Sequence, residues 1–128
     1  ALAHQQQLSL TYDENTTILC LGNKVLLGVL LRNLIDNALR YTPEGGHVEV
    51  LVKQQEKGIL LAVYDTGCGV PEHDIPHLMQ RFYRHEQSAD TQGTGLGLSI
   101  VQRIAELHEA KIEIYNREEG GLAVEVWF

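Results

Sequence analysis

Apolar and polar positions recur with two different periods along this chain, and the switches between them mark out its elements. Leu8 to Tyr12 alternates in side-chain character, and Thr16 to Leu21 is rich in residues that suit a strand. Asp13, Glu14 and Asn15 between them carry turn chemistry, which predicts a hairpin. Leu27, Leu30, Leu31, Leu34 and Ala38 then recur at helical spacing. With Asn23 as a cap and Thr42 and Pro43 as a stop, they predict a long helix to about Tyr41 with one buried face. His47 to Gln55 and Ile59 to Asp65 read as two strands joined by a tight Glu56-Lys57-Gly58 turn. Two glycines and a proline make Asp65 to Pro71 a loop, and Pro76 interrupts or offsets a short helix between Pro71 and about Phe82. His85 to Gln92 is polar and aperiodic, which predicts a mobile loop. Gly95 to His108 is a second helix, with Leu98, Val101, Ile104, Ala105 and His108 near one face. Two more strands, Lys111 to Asn116 and Leu122 to Phe128, flank Gly120 and Gly121.

No repeat or domain boundary interrupts this order. It predicts a single domain over residues 1–128, with 1–7 as the end of a linker. The fold class is α+β: a two-layer sandwich with a mixed, mostly antiparallel sheet and helices on one face.

Composition narrows the class. Hydrophobic residues are 44% and charged residues 21% of 128, an ordinary globular balance. The longest apolar run, Val25 to Leu31, is far too short to cross a bilayer, so no membrane contact is expected from this chain. Two cysteines, Cys20 and Cys68, make no disulfide framework, which points to a reducing compartment. Seventeen acids against ten bases give a net charge of −7, which disfavours a nucleic-acid surface. Taken alone it also disfavours a small polyanion, although a pocket needs only a few local charges.

Three local patterns bear on chemistry. Asn33, Asn37 and Arg40 form a polar stripe beside the apolar helix face. Such a stripe is either a solvated face or a ligand-binding one. Asparagine is a mediocre helix former, its amide oxygen can ligate Mg²⁺, and the arginine fork suits phosphate. Tyr41 follows, either walling a pocket or packing at the helix end. Asp65-Thr66-Gly67-Cys68-Gly69 ends a strand. It is either a plain turn or a carboxylate set to read an amino group, with glycines letting the backbone pass close to a flat base. Gly93-Thr94-Gly95-Leu96-Gly97-Leu98 opens the second helix, as a hinge or as a phosphate cradle of unpaired N–H groups. It is neither a dinucleotide-binding fingerprint nor a Walker A loop.

In this order the patterns resemble a known family. Asn33 to Tyr41 resembles the N box of bacterial sensor histidine kinases, and Asp65 to Gly69 their first glycine box. Arg81 to Arg84 is similar to the F box and Gly93 to Leu98 to the second glycine box. The resemblance covers nearly the whole chain and implies their catalytic, ATP-binding domain, with the Bergerat-type sandwich shared with gyrase and MutL ATPases. The run from Arg81 through His108 is most similar to the quorum-sensing type.

The resemblance implies roles. Asn37 is expected as the principal Mg²⁺ ligand and Asn33 as its assistant, the two forming the catalytic pair. Arg40 is expected at phosphate, Tyr41 along the nucleotide site, and Asp65 on adenine, with Gly67 and Gly69 shaping the base pocket. The backbone of Thr94, Gly95, Leu96, Gly97 and Leu98 is expected to cradle the phosphates. Arg84 would reach them from a lid formed by His85 to Gln92. The implied partners are ATP or ADP, a dimerisation domain carrying the acceptor histidine, and a response regulator. The full-length protein would be a homodimer in the bacterial inner membrane, with this domain in the cytoplasm.

Departures from the family pattern sharpen the expectation. None of His4, His47, His73, His77, His85 and His108 lies in a phosphoacceptor box, so the acceptor is expected outside this chain. Asn33 stands where the hydrolysing relatives place a glutamate, and an amide cannot activate water by taking its proton. Transfer to an external acceptor is favoured over hydrolysis. The alternative is a nucleotide-gated binding module of the anti-sigma type, whose variants phosphorylate serine. Glu109-Ala110 replaces the glycines usual after His108, altering the helix end. Cys68 reads as an inert small residue rather than a reactive thiol, and His73 with His77 does not make a metal site. All four lysines lie outside the motifs, and the bases at or beside them are Arg32, Arg40, Arg81, Arg84 and Arg103.

Overall fold

The computed structural model describes residues 7–11, 22–56, 58–79 and 97–128, with backbone alone for 7–11. In chain order they form β1 (Gln7–Thr11), α1 (Lys24–Tyr41), β2 (His47–Gln55), β3 (Gly58–Asp65), a 3-10 helix (Glu72–His77), α2 (Gly97–Leu107), β4 (Lys111–Asn116) and β5 (Leu122–Trp127). The strands make one sheet in the order β1-β2-β3-β5-β4. The β1–β2 pair is parallel and the other three pairs are antiparallel.

Strand periodicity decides what the sheet turns toward the helices. Val48 and Val50 of β2, Val63 of β3 and Leu122, Val124 and Val126 of β5 join Leu30, Leu34, Ala38 and Leu39 of α1 in one core. Leu98, Val101, Ile104 and Ala105 of α2 complete it. Two steps beyond Val63 on the same face comes Asp65, and two beyond Ile114 comes Asn116. The period of two thus delivers two polar side chains to the ends of strands on the helix-covered side.

The α1 helix is held at both ends. Asn23 Oδ1 accepts the Leu26 N–H at 3.0 Å, and Thr42 Oγ1 donates to the Ala38 carbonyl at 2.7 Å. The Asn23 N–H donates to His108 Nε2 at 3.0 Å, while His108 Nδ1 lies 2.8 Å from the Ile104 carbonyl. The tautomer with its proton on Nδ1 satisfies both contacts and ties the start of α1 to the end of α2. On the sheet's other face, the Tyr64 and Tyr115 hydroxyls donate to Glu125 Oε2 at 2.9 and 2.7 Å. Burial, then the hydrogen bond and charge of Glu125, push the Tyr64 hydroxyl far above the usual tyrosine range.

The two-layer α+β sandwich matches the sequence expectation, with local corrections. The first strand lies along β2 in parallel register, Gln7 opposite His47, and its predicted hairpin partner Thr16 to Leu21 lies outside the described residues. The predicted Leu30, Leu34 and Ala38 are buried in the α1 seam, joined by Leu39, with Leu31 half-buried against the core and Leu27 half-buried. The short helix is a 3-10 turn over Glu72–His77, since Pro76 supplies no N–H to an α-helical ladder. Glu109 takes the left-handed conformation that ends α2, at φ 56°, where the Ala110 N–H returns to the Ala105 carbonyl at 2.8 Å. Among the described residues, no helix is long and apolar enough to cross a membrane.

Candidate functional site

Three elements bring the sequence patterns together. The Asn33 amide Nδ2 donates to the Val29 carbonyl at 2.8 Å, back along its own helix. That bond fixes the carboxamide and turns Oδ1 toward the start of α2, where a Cβ placed on Gly97 would stand 3.6 Å from it. The N-terminal turn of α2 therefore faces the polar stripe of α1. Asn37, one turn on, is half-buried, and its carboxamide makes no hydrogen bond among the described residues. Arg40 is exposed and Tyr41 half-buried at the helix end.

The other wall of the site starts at that helix end. A Cβ on Gly67 would overlap the Tyr41 carbonyl oxygen, so only glycine lets the loop after β3 run against the C-terminus of α1. Asp65, the last residue of β3, is 2% exposed. Its Oδ1 accepts the Gly67 N–H at 2.9 Å and the Leu122 N–H at 3.1 Å, and among the described residues no group donates to Oδ2. Burial pushes the Asp65 carboxyl above the ordinary aspartate range. The hydrogen bonds from Leu122 and Gly67, and then the Arg117 charge, oppose that rise. Gly69 sits at φ +70°, where a side chain would also meet Asn116 Oδ1 at 2.6 Å.

The site thus has two chemically different ends. At one, a buried carboxylate keeps an unused acceptor beside a glycine-lined passage, which fits an aromatic base carrying an amino group. At the other, the hard amide oxygen of Asn33 on α1 faces the start of α2, with Asn37 one turn on, which fits a divalent cation and phosphate. Among the described residues, no three His, Cys, Asp or Glu side chains gather into a metal site.

Of the sequence-assigned residues, Asn33 and Gly97 approach each other across the two helices, and Tyr41 meets Gly67 in the stretch that also holds Asp65 and Gly69, while Asn37 and Arg40 lie on α1 between Asn33 and Tyr41. Leu98 is also there, but its side chain is 5% exposed and belongs to the core, leaving only its backbone for a ligand. Arg84, Thr94, Gly95 and Leu96, and the lid His85 to Gln92, lie outside the described residues. Arg103 is on the open side of α2, 3.5 Å from Glu106.

Sequence reasoning placed the β4 and β5 strands around Gly120-Gly121 but missed the part that Asn116 and Arg117, where they join, play at the site. Arg117 Nη1 donates to the Asp65 carbonyl at 2.8 Å. The Asn116 side chain accepts the Val70 N–H at 3.0 Å and donates to its carbonyl at 2.7 Å. Gly121, at φ +94°, passes so close to Asp65 that a Cβ would overlap its carbonyl. The one available signal was the Gly120-Gly121 pair, which marks a backbone made for close approach.

Comparison with known proteins agrees with this geometry. Residues 22–128 match the family described as histidine kinase-, DNA gyrase B-, and HSP90-like ATPase. Sensor protein QseC of Escherichia coli K12 is 44% identical over 105 residues, which is 82% of this chain and 22% of that protein. Sensor protein kinase PmrB of Pseudomonas aeruginosa is 41% identical over 112 residues, 87% of this chain and 24% of that protein. The chain therefore spans less than a quarter of these two relatives' length. The solved structure of the mycobacterial sensor histidine kinase MprB superposes with a TM-score of 0.86 at 26% identity, covering 98% of this chain and 86% of that one. The chain belongs to the histidine kinase-, DNA gyrase B- and HSP90-like ATPase family.

Proposed function

We propose that this member of the family is the catalytic module of a sensor histidine kinase, binding Mg-ATP and passing its γ-phosphate to a histidine carried outside these 128 residues. The observation that carries the reading is the buried Asp65 carboxylate. Among the described residues no group donates to its Oδ2, and it stands beside the glycine loop that runs against the end of α1, the helix whose Asn33 Oδ1 faces the start of α2.

In this reading Asp65 accepts a hydrogen bond from the exocyclic amine of adenine, while Gly67 and Gly69 let the backbone lie along the base. Tyr41 closes the side of the pocket. The phosphates lie between Arg40 and the first turn of α2, where the N–H groups of Gly97 and Leu98 and the helix dipole favour negative charge. Arg84, Thr94, Gly95 and Leu96 belong to the same phosphate end. Asn37, with Asn33 beside it, would hold Mg²⁺, which when bound neutralises charge on the phosphates.

The acceptor imidazole nitrogen attacks the γ-phosphorus in line, the bond to the β–γ bridging oxygen breaks, and ADP departs. The protein contributes position and charge. Asn33 supports this route over hydrolysis because its amide cannot take a proton from water. The names of the relatives, sensor proteins and sensor kinases, support a place in a two-component pathway. The whole protein would be a homodimer anchored in the bacterial inner membrane, with this domain in the cytoplasm and a response regulator downstream.

The decisive experiment mixes the chain with labelled Mg-ATP and the His-bearing helical hairpin of its own full-length protein. Transfer to the hairpin as an acid-labile, base-stable phosphate is the expected result. An acid-stable phosphate would mark serine instead, and no transfer at saturating nucleotide would sink the kinase assignment.

A further inference from the structure

The groups that hold Asp65 reach it from behind the base pocket, out of a hairpin that no sequence motif includes. The Arg117 side chain, 21% exposed, uses its guanidinium in three directions at once. Nη1 donates to the Asp65 carbonyl at 2.8 Å, Nη2 pairs with Glu119 at 2.8 Å, and Cζ lies 5.4 Å from the centroid of the Tyr64 ring. A planar fork holds two acceptors in fixed directions while its flat face rests on a ring; an ammonium is a rotatable point charge with no such face. Tyr64 is itself anchored through its hydroxyl to Glu125, which Tyr115 also binds. Arg117 is therefore braced against a fixed cluster on the open face of the sheet. Asn116 complements it by clamping both main-chain polar groups of Val70. The loop that carries the base-reading carboxylate is gripped at its start and at its end.

We propose that Arg117 is a positioning residue for base recognition. By holding the Asp65 main chain from the opposite face of the sheet, it sets the orientation in which the carboxylate reads an exocyclic amine. It thereby determines selectivity for ATP over a purine triphosphate that lacks the amine. This rests on the adenine-reading role given to Asp65 above. The positive charge of Arg117 works in the same direction, since it favours the ionised carboxylate that accepts from the amine.

The test is calorimetric titration of the chain with Mg-ATP and with Mg-inosine triphosphate, whose 6-carbonyl would face the carboxylate. Wild type is expected to prefer ATP by about 30-fold or more, because a mismatched buried acceptor is costly. Arg117→Ala should cut that preference by about tenfold, weakening ATP while leaving inosine triphosphate within about twofold. Arg117→Lys should recover part of the loss. Glu119→Gln changes a residue whose side chain is 78% exposed and should lower the preference by about two- to threefold with the fold intact. If Arg117→Ala does not fold, the Arg117→Lys and Glu119→Gln ratios decide. Equal weakening of both nucleotides, or a preference that none of the variants alters, would overturn the proposal and leave Arg117 a structural residue. A wild type that binds both nucleotides equally would overturn the adenine role of Asp65 itself, and this inference with it.

Discussion

The two ends of the site are built on opposite principles. At the base end, Asp65 and the loop after it are fixed by hydrogen bonds from three residues of distant sequence, Asn116, Arg117 and Leu122, and from the neighbouring Gly67. At the cation end, Asn33 makes one hydrogen bond within its own helix and Asn37 makes none among the described residues. Under the proposed function, the contrast follows from what each end would bind. A flat base is discriminated by an acceptor that cannot shift, so its main chain is tied down in advance. A hydrated cation and flexible phosphates need lone pairs left free, and helical side chains provide them at low cost.

The largest effect is expected where a free lone pair is removed. Asn37→Ala should weaken Mg-nucleotide binding by about 100-fold or more and abolish its dependence on Mg²⁺, leaving the melting temperature close to wild type. Titration with and without the metal would check this, and identical curves for both proteins would assign the cation elsewhere. Next comes a change that breaks the base end through its backbone. Gly121→Ala forces a Cβ into the Asp65 carbonyl at φ +94° and should cost about 2 kcal/mol in chemical denaturation. ATP binding should weaken with it.

A subtler probe separates charge from shape at Asp65. Its carboxyl is raised in the folded state, so folding favours the neutral acid. The associated stability is fully present below the usual aspartate value of 3.8 and is lost as pH rises through the higher folded value. Asp65→Asn should therefore melt a few degrees above wild type at pH 7, and the advantage should shrink as pH falls toward 4. ATP binding should be lost over the same neutral range. A variant with no gain at pH 7 would mean that the hydrogen bonds outweigh burial. The smallest effect belongs to neither end. Glu109→Gly relieves a positive φ at the end of α2 and should stabilise by about 1 kcal/mol without altering nucleotide affinity, as melting and titration together would report.

The difference between the ends also governs what the sequence disclosed. Asn33, Asn37, Arg40 and Tyr41 lie within three turns of one helix, so helical periodicity alone gathers them. Asp65, Gly67 and Gly69 form a local turn whose glycines are legible for the same reason. Arg117 contacts Asp65 across 52 residues and Asn116 reaches Val70 across 46, so no local pattern could link them. A polar pair at a strand end reads as turn chemistry until the sheet order is known. The parallel β1–β2 pairing escaped for a related reason, because alternation identifies a strand but not its neighbour. Leu98 was legible in both respects, since its spacing with Val101 and Ala105 turns the side chain inward and leaves only its backbone to the glycine motif.

The strand order gives the base end a place in time. Between β3 and β4, the sheet holds β5, the last of the described strands in sequence. Leu122, which opens that strand, supplies one of the two N–H groups on Asp65, and Gly121 before it makes the close approach. As the chain emerges from the ribosome, the helix bearing the asparagines is complete long before the adenine reader has its rear support. Under the proposed function, competence to recognise adenine therefore arrives only with β5, and nucleotide would stabilise by mass action only those molecules whose sheet has closed.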